Sequence, residues 1–236
     1  MVVLHSTAGL ATQILVQDLG SDDSCLLDLG DGTCRDLLAV GTNLLDVSTV
    51  LISHGHYDHV GGLYSFLGML RMLGRQNLLT IAYPSGAVEV EGIIALSNKL
   101  SDIEGSFEVG CVVLPADKPS TFTTQSFHVA TYPVVHYSSV VGGEILNQVP
   151  ALAYKLKHVP SGTTIAYSGD TGPSEVLWQL YSPEVDLALV EATHPDRSWI
   201  RQKVRYHLTV EEAQDYCAKA KKSILIHRLP DFVTHK

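Results

Sequence analysis

Residues 49–62 read TVLISHGHYDHVGG. The apolar, β-branched start of this stretch predicts a strand over Thr49–Ser53. Three histidines and one aspartate follow it within six residues: His54, His56, Asp58 and His59. In an extended segment positions 54, 56 and 58 project to one side, and a turn at Gly61–Gly62 would bring His59 back toward them. The four side chains are therefore predicted to face one cavity.

Hydrophobic periodicity predicts alternating elements on both sides of this stretch. The predicted strands are Thr12–Gln17, Ser24–Asp28, Leu78–Tyr83, Phe107–Leu114, Thr121–Thr131, Leu152–Lys157, Thr163–Ser168, Asp186–Val190 and Ser223–Ile226. The predicted helices are Thr33–Val40, Leu63–Leu73, Ser85–Lys99, Ser174–Tyr181 and Thr209–Ala220, the last opened by a capping box of Thr209 and Glu212. Hairpin-like runs and helix-separated strands occur together, which favours an α/β fold with mixed sheets.

Length and composition are those of an ordinary globular protein. The 236 residues are 45% hydrophobic, and we expect one domain over residues 1–236. The net charge of −9 disfavours broad binding of polyanions. Residues 197–222 are locally basic, with seven Lys or Arg against three acidic residues. This region is either a solvated surface or a receiving patch for an anionic substrate or partner.

The cellular location is expected to be cytoplasmic. The four cysteines, Cys25, Cys34, Cys111 and Cys217, form no CxxC pair and are expected to be reduced, mostly buried thiols. The start of the chain lacks the pattern of a signal peptide, and no apolar run approaches the 18 residues that span a bilayer. We therefore expect no membrane association, and a homodimer stays open as an alternative to a monomer.

The HxHxDH pattern resembles the metallo-β-lactamase fold superfamily, whose members carry it on a four-layered αββα sandwich of two mixed β-sheets. Further pieces follow in the order that the superfamily has, in YPVVHYSS, IAYSGDTG and SILIHRLP: His136, Asp170 and His227. The resemblance covers most of the chain, and it implies that fold for this chain.

The resemblance also implies two divalent metal ions. One would be bound by His54, His56 and His136, the other by Asp58, His59 and His227, and Asp170 would bridge them. We expect zinc, although manganese, iron and nickel also bind such donors. A pair of metals would carry a net positive charge and would lower the pKa of bound water to about 7, which suits hydrolysis of an anionic diester.

Other stretches look most like ribonuclease Z and its small phosphodiesterase relatives. They include LLDLGDGTCRDLL, YSGDTGPSEVLWQL, VEATH and YHLTVEEA. The resemblance implies a catalytic pair, Glu191 and His207, in which the carboxylate orients the imidazole that protonates the leaving oxygen. His194 is a competing donor, and Asp58 would orient the attacking water or accept its proton.

Two departures from ribonuclease Z bear on the substrate. Only 33 residues separate His136 from Asp170, which leaves no room for the long arm that grips transfer RNA in that family. His227 is followed by RLPDF instead of a Phe-Ser-x-Arg-Tyr pattern that helps to hold phosphate. Arg228, Ser138 and Ser139 are the alternative phosphate-binding candidates.

These observations favour a metal-dependent phosphodiesterase that acts on small phosphodiesters, of the cyclic-nucleotide or cyclic-phosphate type, or on nucleic-acid ends. One alternative is a ribonuclease Z-like endonuclease that processes tRNA 3′ ends without the arm. Others are a thioester, lactone or β-lactam hydrolase, which would not need Glu191 and His207, and a non-hydrolytic di-iron redox or sensor protein. The imidazole of His56 disfavours the redox alternative, because such members typically have a glutamate there.

Overall fold

The computed structural model describes residues 1–21, 23–99, 107–139, 145–183, 185–200 and 204–230. The chain divides into two compact units, Met1–Leu114 and Pro115–Lys236.

The first unit is built on a six-stranded mixed sheet. Its strands, in chain order and also in sheet order, are β1 (Val2–Thr7), β2 (Ala11–Gln17), β3 (Ser24–Leu27), β4 (Val47–Leu51), β5 (Leu79–Pro84) and β6 (Val109–Leu114). β2 pairs antiparallel with β1 and β3, and every pair from β3 to β6 is parallel. The helices are α1 (Thr33–Ala39), α2 (Tyr57–Val60), α3 (Leu63–Met72) and α4 (Val88–Lys99), with a 3₁₀ turn at Leu44–Asp46.

Apolar side chains of α3 form one side of the core of this unit. Leu63, Phe66, Leu67 and Leu70 are fully buried, and their spacing of three and four residues places them on one helix face. They belong to one cluster with Val50 and Ile52 from the segment that leads to His54. Close packing in this core therefore fixes the position of the strand end that carries the histidine motif.

The second unit contains a six-stranded mixed sheet and a separate two-stranded ribbon. The strands are β7 (Ser120–Thr123), β8 (Phe127–Pro133), β9 (His136–Ser139), β10 (Ile145–Val149), β11 (Leu152–His158), β12 (Thr164–Tyr167), β13 (Leu187–Glu191) and β14 (Ser223–Ile226). The sheet order is β14-β13-β12-β11-β8-β7, and β9 pairs with β10. β12, β13 and β14 are parallel, and the other neighbours are antiparallel. The helices are α5 (Glu175–Leu180) and α6 (Val210–Cys217), with a 3₁₀ turn at Arg197–Trp199.

The predicted capping box at the start of α6 is confirmed. The Thr209 hydroxyl accepts a hydrogen bond from the Glu212 amide at 3.2 Å, and the Glu212 carboxylate accepts one from the Thr209 amide at 3.0 Å. Arg205 also pairs with this carboxylate, at 3.0 Å from Nη1 to Oε1. Burial raises the pKa of Glu212, but the Arg205 and Thr209 hydrogen bonds outweigh it, and the pKa lies below its ordinary value. The start of α6 is thereby tied to the segment before it.

Two sequence predictions about local structure are corrected. The single strand predicted over Thr121–Thr131 is a hairpin of β7 and β8, because the Thr124 amide and hydroxyl bond to the backbone of Phe127 and turn the chain. The segment after β4 is extended only as far as His56, and Asp58 lies in α2 instead of continuing the alternation. Strands β1, β9 and β10 were absent from the sequence prediction.

All four cysteines are thiols, but only Cys25 and Cys217 are buried, and Cys111 is exposed. The predicted pair of mixed sheets is confirmed. Among the residues that the structure describes, no helix has the length and apolar character needed to cross a membrane.

Candidate metal centre

In the first unit the candidate ligands lie at the carboxyl ends of two neighbouring parallel strands. Asp28 directly follows β3, and the segment from Ser53 to His59 follows β4. Carboxyl ends of adjacent parallel strands meet at the same sheet edge, where functional residues of α/β folds commonly lie. The Leu29 amide donates to the His59 carbonyl at 2.8 Å, which joins the two segments.

His59 is held by a buried carboxylate. Its Nδ1 donates to Asp28 Oδ2 at 2.7 Å, and both side chains are fully buried. Asp28 also accepts from the Ser53 amide at 2.6 Å and from the Ser53 hydroxyl at 2.7 Å. The bond to Asp28 places the ring proton of His59 on Nδ1, so Nε2 carries the lone pair. A carboxylate behind the imidazole is the usual way in which proteins orient a histidine toward a metal.

Ser53 connects the Asp28 carboxylate to His54. The Ser53 hydroxyl has one proton, which it donates to Asp28, so it accepts from His54 Nδ1 at 3.0 Å. His54 therefore also has its proton on Nδ1 and its lone pair on Nε2. The rings of His54 and His59 lie 4.2 Å apart between centroids, and those of His54 and His56 4.6 Å apart. One carboxylate thus sets the tautomer of two candidate ligands.

Asp58 is fixed by the loop between β1 and β2. Its Oδ2 accepts a hydrogen bond from the Gly9 amide at 2.8 Å and lies 3.9 Å from His59 Nε2. Gly9 has a φ of 70°, a conformation that favours glycine. The first unit therefore brings His54, His56, Asp58 and His59 together, as the sequence predicted, although through a helical turn.

In the second unit the candidates again follow strand ends. His136 lies three residues after β8, Asp170 three residues after β12, and His227 directly after β14, whereas Glu191 is the last residue of β13. His227 has a φ of 52°, so both Asp28 and His227 are non-glycine residues in the left-handed region. Such strained backbone clusters at functional sites.

His136 is oriented by a peptide carbonyl. Its Nδ1 donates to the Tyr206 carbonyl oxygen at 3.0 Å, and its Nε2 lies 3.9 Å from Asp170 Oδ2. Gly172 permits the close approach of the segment that carries Tyr206, because a Cβ at position 172 would lie 2.1 Å from the Arg205 carbonyl oxygen. The fixed tautomer makes Nε2 the nitrogen that points toward the Asp170 carboxylate.

His227 is oriented by the hydroxyl of Thr193. This hydroxyl has one proton, for which Glu191 Oε2 at 2.9 Å and the His227 carbonyl oxygen at 3.0 Å are the acceptors, so it accepts from His227 Nδ1 at 2.9 Å. His227 Nε2 then presents a lone pair 3.3 Å from Asp170 Oδ2. A cation bound to both atoms would offset the repulsion between two electron-rich atoms at this separation.

Glu191 and His207 form the pair that the resemblance implies. His207 Nδ1 donates to Glu191 Oε1 at 2.8 Å. Glu191 is fully buried and also accepts from the amides of Thr171 and Thr193 at 3.1 and 3.0 Å. His207 keeps 14% of its side chain exposed, so a rigidly held imidazole borders solvent.

His207 also lies near the candidate ligands of this unit. Ligand atoms of His136, Asp170 and His207 lie within 4.8 Å of one another, and those of Glu191, His207 and His227 do as well. Its Nδ1, however, is committed to Glu191 and lies 4.0 Å from Asp170 Oδ2. This geometry places an oriented imidazole beside the Asp170 carboxylate.

The structure also describes the surroundings of the alternative candidates His194, Arg228 and Ser138. Burial lowers the pKa of His194, and the positive charge of His207 lowers it further. Its backbone amide bonds to the Leu208 carbonyl, and its ring lies 5.9 Å from that of His207. Arg228 is exposed, Ser138 contacts the Asn147 carbonyl at 3.4 Å, and the Ser139 side chain lies outside the described residues.

The donor sets of both units fit divalent metal ions. Four imidazoles, those of His54, His59, His136 and His227, have Nδ1 bonded to a protein oxygen, so Nε2 is the nitrogen through which each would bind a metal. Neutral imidazole and carboxylate are the donors that zinc and related ions prefer. Each orienting oxygen supplies the outer support typical of metal sites.

Sequence reasoning missed all four of these supports: Ser53, Asp28, Thr193 and the Tyr206 carbonyl. The stretches that contain Asp28, Thr193 and Tyr206 were noticed only as blocks of resemblance, and Ser53 only as the end of a predicted strand, without a role for any of these residues. An aspartate directly after a strand was the available signal for Asp28. No local signal marks Thr193 or Tyr206, because each bonds to an imidazole far away in the chain.

Comparisons with known proteins relate this chain to metallo-β-lactamase fold proteins. Residues 33–227 match a family model described as a beta-lactamase superfamily domain. A ribonuclease Z from Pyrococcus furiosus is 24% identical over an alignment of 247 positions, gaps included. The alignment covers 88% of this chain and 77% of that protein. The crystal structure of the short form of human tRNase Z has a TM-score of 0.76 at 20% identity and covers 98% of this chain and 92% of its own. A diphosphatase from the PhnP family has a TM-score of 0.65 at 17% identity and covers 96% and 85%, respectively.

The family model extends over most of the chain, and the structural similarity confirms the predicted metallo-β-lactamase fold. This fold implies binding of divalent metal, in agreement with the histidine and aspartate donors of each unit. The chain is similar to ribonuclease Z along most of its length, and it belongs to the family of the beta-lactamase superfamily domain.

Proposed function

We propose that this protein is a phosphodiesterase that uses two divalent metal ions, zinc first among them, and acts on small phosphodiesters or nucleic-acid ends. We propose that residues 1–236 act as a single hydrolase domain. The proposed metal ligands are His54, His56, Asp58, His59, His136, Asp170 and His227, and the proposed catalytic residues are Asp58, Glu191 and His207. Membership of a family of metal-dependent hydrolases supports the part of this proposal that makes the protein a hydrolase.

The metal ions, when bound, would polarise the phosphoryl oxygen and supply a nucleophile at neutral pH. The residues of the chain have two further tasks. Asp58 is held through Oδ2 by the Gly9 amide, so its carboxylate has a fixed direction in which to orient the attacking water and accept a proton. A fixed carboxylate needs no reorganisation during the reaction.

The contact between Glu191 and His207 carries the proposal. The 2.8 Å bond to Glu191 holds the His207 ring with Nδ1 protonated, so Nε2 is the atom that can carry a second proton to a leaving group. The buried negative charge of Glu191 favours the imidazolium form that this transfer requires. A poor leaving group such as an alkoxide or a ribose hydroxyl needs this proton, whereas thioester hydrolysis does not.

Comparisons support phosphoryl chemistry. Relatives named ribonuclease Z and a structural neighbour named as a diphosphatase of the PhnP family both have names that refer to phosphate bonds. The short span from His136 to Asp170 and the net charge of −9 favour a small substrate over a large RNA.

The test uses one preparation of the protein, purified without added metal. Its metal content is measured first, and hydrolysis of bis-p-nitrophenyl phosphate and of a panel of carboxyl esters and thioesters follows on the same sample. We expect about two metals per chain and a clear preference for the phosphodiester. Turnover of esters with no phosphodiesterase activity would overturn the proposal.

A second candidate is processing of tRNA 3′ ends. The specific observation in its favour is the ribonuclease Z relative that aligns with 88% of this chain. Competition between precursor transfer RNA and a cyclic or dinucleotide substrate, measured across a salt series, separates the two candidates. Accurate cleavage of the precursor at physiological salt, with poor activity on small diesters, would establish the second candidate.

A further inference from the structure

The second unit contains a cavity of about 840 Å³ that is separate from the candidate ligands. It lies on the sheet formed by β7, β8, β11 and β12, and Pro183 and Lys221 also border it. Its volume falls within the range of roughly 300–1,000 Å³ that is usual for small-molecule sites.

The cavity lies toward the opposite end of the sheet from the metal ligands. Lys157 pairs in register with His128 on one side and with Thr164 on the other, and all three residues line the cavity. Thr164 begins β12, whereas Asp170 follows the end of that strand. His128 likewise lies near the start of β8, whereas His136 follows its end. A ligand in this cavity would therefore not occupy the position of a substrate at Asp170.

Positive charge dominates the polar lining. Lys155 and Lys157 are two residues apart on β11, so their side chains project from the same face of the sheet. Among the lining residues that the structure describes, one carries a carboxylate, Asp186, and it is bound by Lys221 Nζ at 2.7 Å and by the Thr164 amide at 2.7 Å. The charge of Asp186 is therefore compensated, and Lys155 and Lys157 provide a surplus of positive charge in a chain whose net charge is −9.

The ammonium group of Lys155 is held by a backbone carbonyl. Its Nζ donates to the Ser182 carbonyl oxygen at 2.8 Å, which leaves two further protons of the ammonium for other acceptors. Burial lowers the pKa of Lys155. An anion beside it would favour the charged form and offset this cost of burial.

The rest of the lining is apolar or carries hydroxyl groups. Ala130 lies in register beside Lys155, and its short side chain leaves depth at the centre of the cavity. Pro183 adds apolar surface, and Thr121 and Thr123, which lie in register with Ala130 and His128, are exposed at the β7 edge. A flat apolar group would bury surface here, while an attached phosphate would lie next to the lysines.

We propose that this cavity binds a nucleoside monophosphate, with the phosphate bound by Lys155 and Lys157 and the nucleoside on the apolar surface around Ala130. Lysine ammonium groups bind phosphate through charge-assisted hydrogen bonds. An apolar surface packs against the flat face of a base and needs no particular set of polar contacts to it. Binding here is independent of the proposed hydrolysis, so the two proposals can fail separately.

The experiment measures binding of AMP to the full-length, metal-loaded protein by calorimetry, with adenosine and inorganic phosphate as separate titrants. We expect AMP to bind more tightly than either fragment. The double variant Lys155→Gln/Lys157→Gln should weaken AMP binding at least tenfold, since hydrogen bonds to charged groups are among the stronger ones. The matched control, Lys99→Gln/Lys118→Gln, changes the net charge equally at two exposed lysines outside the cavity and should bind AMP as the wild type does.

Ala130→Leu provides a second test that leaves every charge in place. The larger side chain should fill the floor and weaken AMP binding while leaving phosphate binding unchanged. Hydrolysis of bis-p-nitrophenyl phosphate should be unaffected in all these variants. AMP affinity that is equal in the double variant and its control, phosphate that binds as tightly as AMP, or AMP that is displaced by the diester substrate would each overturn the inference.

Discussion

His59 and Asp28 are joined by a 2.7 Å hydrogen bond between Nδ1 and Oδ2, and neither side chain has any exposed surface. The same carboxylate accepts hydrogen bonds from the amide and the hydroxyl of Ser53. The Ser53 hydroxyl in turn orients the His54 ring through Nδ1. Asp28 therefore acts on two candidate metal ligands without being one itself.

Replacing Asp28 by Asn should weaken metal binding by roughly 10- to 100-fold, the usual effect of removing the outer partner of a ligand. The amide cannot accept from Ser53 and from His59 with the strength of a carboxylate, so the His59 ring loses its fixed tautomer. Competition with a metal chelator measures this loss directly. Asp31→Asn, at a nearby exposed aspartate, is the control and should bind metal normally. Equal metal affinity in the two variants would exclude this role for Asp28.

Thr193→Val should reduce metal affinity by a similar factor, because His227 Nδ1 loses its acceptor while the volume of the side chain is nearly preserved. It should also cost about 1–3 kcal/mol of stability, since a buried donor becomes unsatisfied. Thr193→Ser keeps the hydroxyl and should restore most of both. If the serine variant loses as much metal as the valine variant, the methyl group and not the hydroxyl is responsible.

Removal of the His207 imidazole should separate catalysis from metal binding. His207→Ala should leave metal content intact and reduce turnover by roughly 10²–10⁴, the usual contribution of a positioned acid. The loss should be smaller for substrates that release p-nitrophenolate, which needs no proton. A comparison of kcat for diesters with good and poor leaving groups checks this, and equal losses would indicate a structural role.

Asp170→Ala should lower metal content more than loss of a single imidazole such as His56. The reason is that Asp170 lies within 3.9 Å of both His136 Nε2 and His227 Nε2 and is proposed to bridge the two ions. Elemental analysis of both variants after dialysis provides the comparison. Retention of two tightly bound metals with near-normal turnover in Asp170→Ala would contradict the bridging role.

The sequence predicted the local features well, and the reason is physical. The buried stripe of α3 and the capping box of Thr209 and Glu212 depend on residues three or four positions apart, so a short window contains the whole signal. The hairpin at Thr124 was missed because its β-branched neighbours have high strand propensity and the turn contains no glycine or proline.

In the candidate site, too, residues marked by a local sequence pattern were predicted, and contacts between residues far apart in the chain were not. The HxHxDH motif and the strand-end residues His136, Asp170 and His227 were available from local pattern and order. The supporting bonds were not, since Asp28 lies 31 residues from His59 and Thr193 lies 34 residues from His227. Such pairs are determined by which strands become neighbours, and a single sequence does not encode that in any short segment.

The ion pair of Asp186 and Lys221 should make stability depend on pH in strong acid. The Lys221 hydrogen bond, followed by that of the Thr164 amide, lowers the pKa of Asp186 from 3.8 to about 2. Its stabilisation is therefore complete above pH 3.8 and is lost as pH falls toward 2. Thermal melting between pH 5 and 2 should show a steeper fall for the wild type than for Asp186→Asn, and parallel curves would contradict this assignment.

The left-handed backbone at Asp28 and His227 restricts how this site can be redesigned. A backbone with a φ near 50° costs most side chains roughly 1–2 kcal/mol, whereas Gly adopts it freely and Asn, Asp and His adopt it more often than other residues. Engineering a softer ligand set by placing cysteine at position 227 would thus incur a backbone cost before any metal is bound. Replacing His136 by another ligand type should be easier, because His136 lies in ordinary strand geometry at the start of β9.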